Sequence, residues 1–302
     1  MPTPQVLAIV LNWNRPDDTR RCVQSLLQSD CPNLRIVVVD NGSEEKLYAQ
    51  LRAELTNVEV LRSEVNLGFA AGNNLGLRYA QEHGADYALV LNNDTLVDPS
   101  MVSQLVAAGE ANPDAGLMGP IIYFLDQPDK VWFAGYRFTH GIYLLRRGLH
   151  LSPPIRPIEP VDFVSGCGML IRRSVLDQVG LFCADYFMYY EDVDLCFRVK
   201  SAGAQILCVT DARMWHAVSA SSGGPDSPIK QYHQVKSSLI FYRKHSRGLK
   251  LWFNIFLRMA HAFAMSVQRL LHGQPELNSF RMIFKGAIEG WRLGLAHDLK
   301  GE

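Results

Sequence analysis

This chain of 302 residues lacks paired cysteines, a net charge, a nucleotide-phosphate loop of either common type, and an uninterrupted apolar run long enough to cross a bilayer. Its six cysteines (Cys22, Cys31, Cys167, Cys183, Cys196, Cys208) are scattered, with no C-x-x-C pair and no His at zinc-finger spacing. That excludes a finger or a disulfide framework and favours buried free thiols in a reducing compartment. The first turn after the first apolar run, Asn12-Trp13-Asn14-Arg15-Pro16, contains neither G-x-G-x-x-G nor G-x-x-x-x-G-K-[ST]. Dinucleotide oxidoreductases and P-loop enzymes lose their main support. Val6–Leu11 is too short for a signal-peptide core, no basic run precedes it, and polar residues follow at once, so a cytoplasmic protein is expected.

What is present is unevenly distributed. With 48% hydrophobic and 20% charged residues, there is enough apolar material for one large core or two modest ones, and one domain plus an appendage is expected. The formal charge of +0 hides an asymmetry: from Lys230 onward 12 Lys/Arg stand against 4 Asp/Glu (+8), and residues 1–229 hold 18 against 26 (−8). An acidic front is therefore joined to a basic tail.

Apolar runs at Val6–Leu11, Arg35–Val39, Val58–Leu61 and Tyr87–Leu91 alternate with helical patterns at Asp17–Gln28, Glu44–Leu55 and Phe69–Gln81. This order predicts an α/β fold with a mostly parallel central sheet and helices on both faces. Ligands on such sheets lie beyond the carboxyl ends of the strands. Those ends read Asn12-Trp13-Asn14, Asp40-Asn41-Gly42-Ser43, Asn66-Leu67-Gly68-Phe69 and Asn92-Asn93-Asp94, polar or Gly-bearing every time. A helix Pro99–Gly109 and a short strand near Gly116–Gly119 follow. An irregular stretch with Pro128, Pro153, Pro154, Pro157 and Pro160 is expected to carry short strands and an acceptor-facing loop. Order returns at Phe163–Arg172, with a helix at Asp192–Ser201 and a strand at Gln205–Val209 that Trp215-His216 follow.

In the tail, Lys250, Asn254, Arg258, His261, Gln268 and Arg269 recur every three to four residues through the apolar segment Leu249–Leu271, drawing one polar stripe down a helix. Such a segment lies on a surface and does not span. A second helix, from Glu276 to about Ala296, puts Leu277, Phe280, Phe284, Ile288, Trp291 and Leu295 on one face. Both apolar stripes either pack on the core or meet a membrane surface through residues 248–302. The basic excess sits on amphipathic apolar helices, so nucleic acid is not the expected partner.

Each candidate site admits a structural and a chemical reading. Asp40 before a Gly turn either ends a strand or accepts hydrogen bonds from a ribose or base. Gly68, Gly72 and Gly76 either permit close helix packing or, with Asn73, present donors to a nucleotide. Asp94 either caps a turn or holds a hard divalent cation against a diphosphate. Glu191-Asp192-Val193-Asp194 put three acids at a helix start, where the macrodipole favours them. They follow the aromatic run from Tyr186 through Tyr190, whose walls suit sugar faces and raise a carboxylate toward general-base work. His216 is either structural or an imidazole ligand beside Asp94.

Together these pieces resemble the family-2 glycosyltransferases with the GT-A fold, in particular their bacterial rhamnosyltransferase-like branch. The matching stretches are Ile9–Asn14, Val37–Ser43, Asn66–Asn74, Leu91–Thr95, Ser165–Arg173 and Phe187–Arg198, with His216 completing the set, so the likeness covers roughly residues 5–220. The resemblance implies a GT-A domain over residues 1–225 and a basic helical extension over 226–302. It implies that Asn12, Asn14, Asp40, Asn41, Gly68, Asn73, Asn92 and Asn93 bind a nucleotide diphosphate sugar. Asp94 and His216 would hold Mg²⁺ or Mn²⁺, Asp192 would be the catalytic base, and Glu191, Tyr190 and Gly166 would line the acceptor side. Asn92 stands where many relatives carry Asp, one carboxylate fewer for the cation. The implied reaction is a single inverting displacement onto a saccharide or lipid-linked saccharide, with dTDP-rhamnose as donor, at the cytoplasmic face of the inner membrane. A catalytically silent nucleotide-sugar-binding protein and a nucleotidyltransferase are the alternatives. Retention of Asp94, Asp192 and His216 argues against the first, and the lack of a Gly-rich basic first loop against the second.

Overall fold

A computed structural model of the chain describes residues 3–139, 142–148, 156–218, 228–271 and 277–300. The chain divides into two compact units. The first comprises Met1–Arg137, Arg147–Cys183 and Asp192–Val218, and the second Phe138–Arg146, Ala184–Glu191 and Ser219–Glu302.

In the first unit, β1 (Val6–Asn12), α1 (Pro16–Leu26), β2 (Leu34–Asn41), α2 (Glu45–Glu54), β3 (Glu59–Ser63), α3 (Gly68–Glu82) and β4 (Tyr87–Asn92) form a doubly wound start. β1 and β4 are apolar along their length because both faces are covered, as a central parallel strand requires. Pro16 at the first helical position and Asp17 and Asp18 in the first turn start α1. Asn12 touches Thr19 of α1, and Ile9 and Leu11 abut Gly76 and Gly72 of α3. Alternate residues of a strand point to opposite faces, so α1 and α3 cover opposite sides of the sheet.

The sheet continues through β5 (Thr95–Val97), α4 (Met101–Ala111), β6 (Ala115–Phe124) and β7 (Val131–Phe133). β8 (Tyr136–Thr139) and β9 (Ile142–Gly148) pair as a separate two-stranded sheet. Then come β10 (Ile158–Pro160), β11 (Gly168–Arg172), α5 (Arg173–Val179), α6 (Glu191–Ser201) and β12 (Gln205–His216). The 10-stranded sheet has the order β10-β12-β6-β11-β4-β1-β2-β3, with β5 on β12 and β7 on β6. β1, β2, β3, β4, β6 and β12 run one way, and β5, β7, β10 and β11 run the other. The fold is α/β with a mostly parallel central sheet, as expected, made mixed by its later strands.

Two strand boundaries differ from expectation. β6 is ten residues long, because Pro120 is accommodated opposite Val209 where a strand-breaking reading would stop it. β12 runs on to His216, because a register shift between Val209 and Arg213 lets the strand continue past exposed Asp211 and Arg213. The irregular stretch contains β7 to β10, while Pro153 and Pro154 lie outside the described residues. None of the six cysteines is in a disulfide; five are buried and Cys183 is half-buried. Burial pushes the Cys22 thiol up to about 12.

The second unit is built on α7 (Pro228–His245), α8 (Gly248–Leu271) and α9 (Leu277–Lys300). Within the expected helical extension α7 was not singled out, since its buried residues mix Gln231, Ser237, Ser238 and Arg243 with Val235, Leu239, Ile240 and Phe241 and blur the apolar period. α9 lies against α7 through Gly286, Gly290 and Gly294, and a Cβ at Gly290 would come 2.3 Å from the Lys236 carbonyl oxygen. Two residues of the expected apolar face of α9 do not pack on a core. Phe284 and Ile288 are exposed, because glycines and Ile283 take the inward side where backbones nearly touch; Leu277 and Leu295 have side chains outside the described set.

The expected polar stripe of α8 is split, with Lys250, His261 and Gln268 exposed and Asn254 and Arg258 buried. Asn254, Arg258, Ala262 and Ser266 form its buried side. Asn254 Oδ1, Arg258 Nε and Ser266 Oγ there make no hydrogen bond. Each such orphan costs on the order of 1–3 kcal/mol. The shared core of the three helices is small, with Val235, Leu239, Ala262 and Ile283 at its centre. No helix among the described residues is long and apolar enough to cross a membrane.

Candidate active site

The first two strand ends are joined by a closed polar network. Parallel register sets Asn12 opposite Asp40. Asn12 Nδ2 donates to Asp40 Oδ1 at 2.7 Å and to Ser43 Oγ at 3.2 Å, and its Oδ1 accepts from the Thr19 hydroxyl at 2.8 Å. Asp40 is fully buried, its Oδ2 accepting from the Ser43 N–H at 3.3 Å with Arg62 Nε at 3.7 Å. Asn14 holds a left-handed φ of 55°. Its N–H donates to Ser43 Oγ and its Oδ1 accepts from the Glu44 N–H, both at 2.8 Å. An asparagine tolerates that backbone through such local bonds.

Asn41 ties the second strand end to α3. Its Nδ2 donates to Asn66 Oδ1 (3.1 Å) and the Gly68 carbonyl (3.0 Å), and its Oδ1 accepts from the Leu67 N–H (3.0 Å). Gly42, at φ 75°, packs so closely on the Val65–Asn66 backbone that a Cβ would come within 2.3 Å of it. Gly68 opens α3 at φ 81° and donates its N–H to Asn66 Oδ1. Gly72 and Gly76 serve close packing on β1. Asn73 is fully buried, with Nδ2 on the Phe69 carbonyl and Oδ1 unpartnered.

In Asn92-Asn93-Asp94 the side chains alternate. Asn93 turns into the Asn12 network, donating to Thr19 Oγ1 at 3.0 Å. Asn92 and Asp94 face His216: Asn92 Nδ2 lies 3.4 Å, and Asp94 Oδ1 3.1 Å, from His216 Nε2. The backbone fixes this approach, since antiparallel register sets Thr95 opposite His216 and the Ala217 N–H donates to the Asp94 carbonyl at 3.0 Å. Trp132 meets the imidazole edge-on, ring centres 5.0 Å apart. Burial disfavours the imidazolium, yet the Cys167 sulfur and the Asp94 carboxylate overcome it and push His216 up to about 10.

Asp94 Oδ1 sits at ion-pair distance from His216 but in no aligned hydrogen bond. A buried carboxylate oxygen beside an imidazole is, once the ring gives up its proton, an oxygen and nitrogen donor set that would suit Mg²⁺ or Mn²⁺, which take one or two carboxylates and fill the remainder with water and phosphate oxygens. Among the described residues no third His, Cys, Asp or Glu joins the pair.

Asp192 is the second residue of α6. Its Oδ2 accepts from the Gly166 N–H at 3.0 Å and its Oδ1 from the Val193 N–H at 2.8 Å. Gly166 is needed there: a Cβ would stand 3.2 Å from Phe69 and 3.3 Å from Asp192 Cβ. Asp194, two residues on, is turned inward to Arg198 at 2.8 Å. Arg198 also donates to the carbonyls of Val179, Gly180 and Leu181 after α5, anchoring α6. Glu191 is buried. Tyr189 and Tyr190 adopt φ of 66° and 70°, a strain of about 1–2 kcal/mol each. Tyr190 is held by Phe241 (5.5 Å between rings) and the Tyr242 hydroxyl (3.3 Å).

Asp192 thus grips Gly166, whose chain neighbour Cys167 touches His216, which faces Asp94. The three side chains that sequence set far apart are linked by this chain of contacts within the first unit. Sequence reasoning missed Trp132, and took Cys167 only as a buried thiol within a matched motif. Nothing local marks either residue, because both reach His216 through sheet pairing.

A doubly wound sheet that carries polar loops and a carboxylate–imidazole pair beyond its strand ends is a GT-A fold, the class of nucleotide-sugar-dependent glycosyltransferases. The chain belongs to glycosyl transferase family 2, whose family model matches residues 8–180. It is similar to N-acetylglucosaminyl-diphospho-decaprenol L-rhamnosyltransferase of Mycobacterium tuberculosis, 29% identical over 281 residues that cover 84% of this chain and 88% of the relative. It is also similar to the dTDP-rhamnosyl transferase RfbF of Shigella flexneri, 24% identical with 82% of each chain covered. The protein is therefore a rhamnosyltransferase-like member of the family. Among solved structures, GalNAc-T7 with UDP, GalNAc and Mn²⁺ aligns with a TM-score of 0.63 at 17% identity, covering 79% of this chain but only 47% of that one. The mannosyltransferase PcManGT of Pyrobaculum calidifontis with GDP-Man and Mn²⁺ aligns with a TM-score of 0.57 at 13% identity, covering 99% and 88%.

Proposed function

We propose that the chain transfers rhamnose from dTDP-rhamnose, with inversion, to a hydroxyl of a saccharide or lipid-linked saccharide in cell-surface polysaccharide synthesis, working on the cytoplasmic side of the membrane. The observation that carries the reading is the chain of contacts that runs from Asp192 through Gly166 and Cys167 to the Asp94–His216 pair. The printed names of the two bacterial relatives support the sugar, and that of the mycobacterial one supports a lipid-diphosphate acceptor.

Asp192 takes the proton of the acceptor hydroxyl as the new bond to the anomeric carbon forms and the bond to the donor phosphate oxygen breaks; the nucleoside diphosphate leaves. The Gly166 and Val193 N–H groups aim the carboxylate without neutralising it. Asp94 and His216 would hold Mg²⁺ or Mn²⁺, which would supply Lewis-acid stabilisation of the departing diphosphate. Sealed Asp40 serves by holding Asn12, Asn14 and the Ser43 turn in place beneath the nucleotide, while Asn41 sets Gly68 and the start of α3, where Asn73 sits. Asn92 orients His216, and Asn93 braces the first loop. Gly166, Tyr190 and Glu191 belong to the acceptor side.

Asp192→Asn keeps the shape and removes the base, so turnover should fall by about 10²–10⁴, while donor with Mn²⁺ still raises the melting temperature. Intact turnover would remove Asp192 from this role. In a thermal-shift panel of nucleotide sugars with Mn²⁺, dTDP-rhamnose should stabilise most, and a larger shift with another sugar nucleotide would replace it as donor.

A further inference from the structure

In water a helix hides its apolar stripe. α8 does the reverse: it buries Asn254, Arg258 and Ser266 and shows Leu249 (89% exposed), Trp252 (59%), Phe256 (68%) and Phe263 (59%). Phe253 stands beside them, and α9 adds exposed Phe284 and Ile288. Every exposed large aromatic of the described residues other than Trp13 lies on these two helices. A patch of this kind signals a surface that another phase covers.

The identity of that phase follows from charge. Exposed Lys250, Arg281, Lys285 and Arg292 flank the aromatics, and the segment from Lys230 onward holds 12 Lys/Arg against 4 Asp/Glu. Two copies of so basic a face would repel, whereas an anionic lipid surface complements it. Aromatic residues beside Lys and Arg favour the headgroup boundary. Packing agrees. α9 meets α7 through Gly286, Gly290 and Gly294, a close approach that does not depend on expelling water from apolar side chains and so persists against lipid. Since no described helix can span, the helices must lie along the surface.

We infer that the aromatic and basic face of α8 and α9 docks the protein on an anionic bilayer, with α8 lying in the headgroup region and its polar side turned toward the helix pair. This surface stands independently of the transfer chemistry, so either can fail alone.

The test is flotation of the full chain with phosphatidylcholine vesicles and with phosphatidylcholine–phosphatidylglycerol vesicles. Wild type should float with the anionic vesicles, less with the neutral ones, and release as salt rises. Phe256→Ser/Phe263→Ser should lower vesicle binding at least about tenfold, and its unchanged thermal melt would show that the fold is intact, as expected for exposed positions. Lys285→Glu/Arg292→Glu should weaken binding to anionic vesicles by roughly fivefold or more per residue and leave neutral vesicles unaffected. Failure of wild type to float, or equal flotation of wild type and the Phe double variant, would overturn the inference. So would a concentration-dependent dimer, seen by analytical ultracentrifugation, that the Phe variant abolishes while vesicles have no effect.

Discussion

Gly166→Ala tests whether Asp192 acts from a fixed position. Gly166 has no left-handed φ, so alanine is permitted by the backbone, and the N–H that holds Asp192 Oδ2 is retained. The added methyl would stand 3.2 Å from Phe69 and 3.3 Å from Asp192 Cβ. Carbon atoms prefer about 3.5–4.0 Å, so these neighbours must yield by a few tenths of an ångström. The carboxylate, one bond further out, moves by roughly 0.5 Å. Where about 1 Å of misplacement costs 10²-fold, this should lower kcat about tenfold, or ~1.4 kcal/mol of barrier. The gain from a stiffer unfolded chain, about 0.4–1 kcal/mol, offsets the crowding, so the melting temperature should hardly move. Steady-state rates at saturating donor and acceptor with Mn²⁺, set beside donor-induced thermal shifts, separate the two effects. Undiminished kcat, or a loss confined to donor KM, would refute the positional argument.

Asn92→Asp places a second carboxylate 3.4 Å from His216 Nε2 and should tighten Mn²⁺ binding by about tenfold; isothermal titration of Mn²⁺ with donor diphosphate would show an unchanged affinity if Asn92 does not face the cation. His233, half-buried and stacked on Phe187, is lowered to about 4 by burial and by Lys236, partly opposed by Glu289. Its unfolded form binds a proton that the folded form refuses, so stability is lost as pH falls from about 6.5 toward 4 and none is gained above. Discounted for the ring's partial exposure, the loss is about 1–2 kcal/mol. Denaturant midpoints at the two ends of that window should differ for wild type and converge for His233→Gln.

The sheet was readable wherever an apolar run ends in a polar tip, as at Val6–Asn12 and Tyr87–Asn92, because burial on both faces leaves a continuous hydrophobic signal. That signal failed at β12, where exposed Asp211 and Arg213 interrupt it while pairing continues. α8 shows a different limit. Periodicity reveals that a helix has two faces, but which one turns inward depends on its neighbours. α9 hid its packing face because glycines carry no hydropathy. At the site, Asp94, Asp192 and His216 were singled out from motif and chemistry. The roles of Ser43 and Trp132 were not, since Asn12 and His216 reach them only through tertiary approach.

The pinning of Asp94 to the far end of β12 bears on how the enzyme matures. Asp94 is translated early and His216 late, and they become neighbours only when β12 settles on β6 and β5. A chain that ends before β12 lacks His216 and cannot form the Asp94–His216 pair. The pair is therefore complete only once the last strand of the sheet is in place.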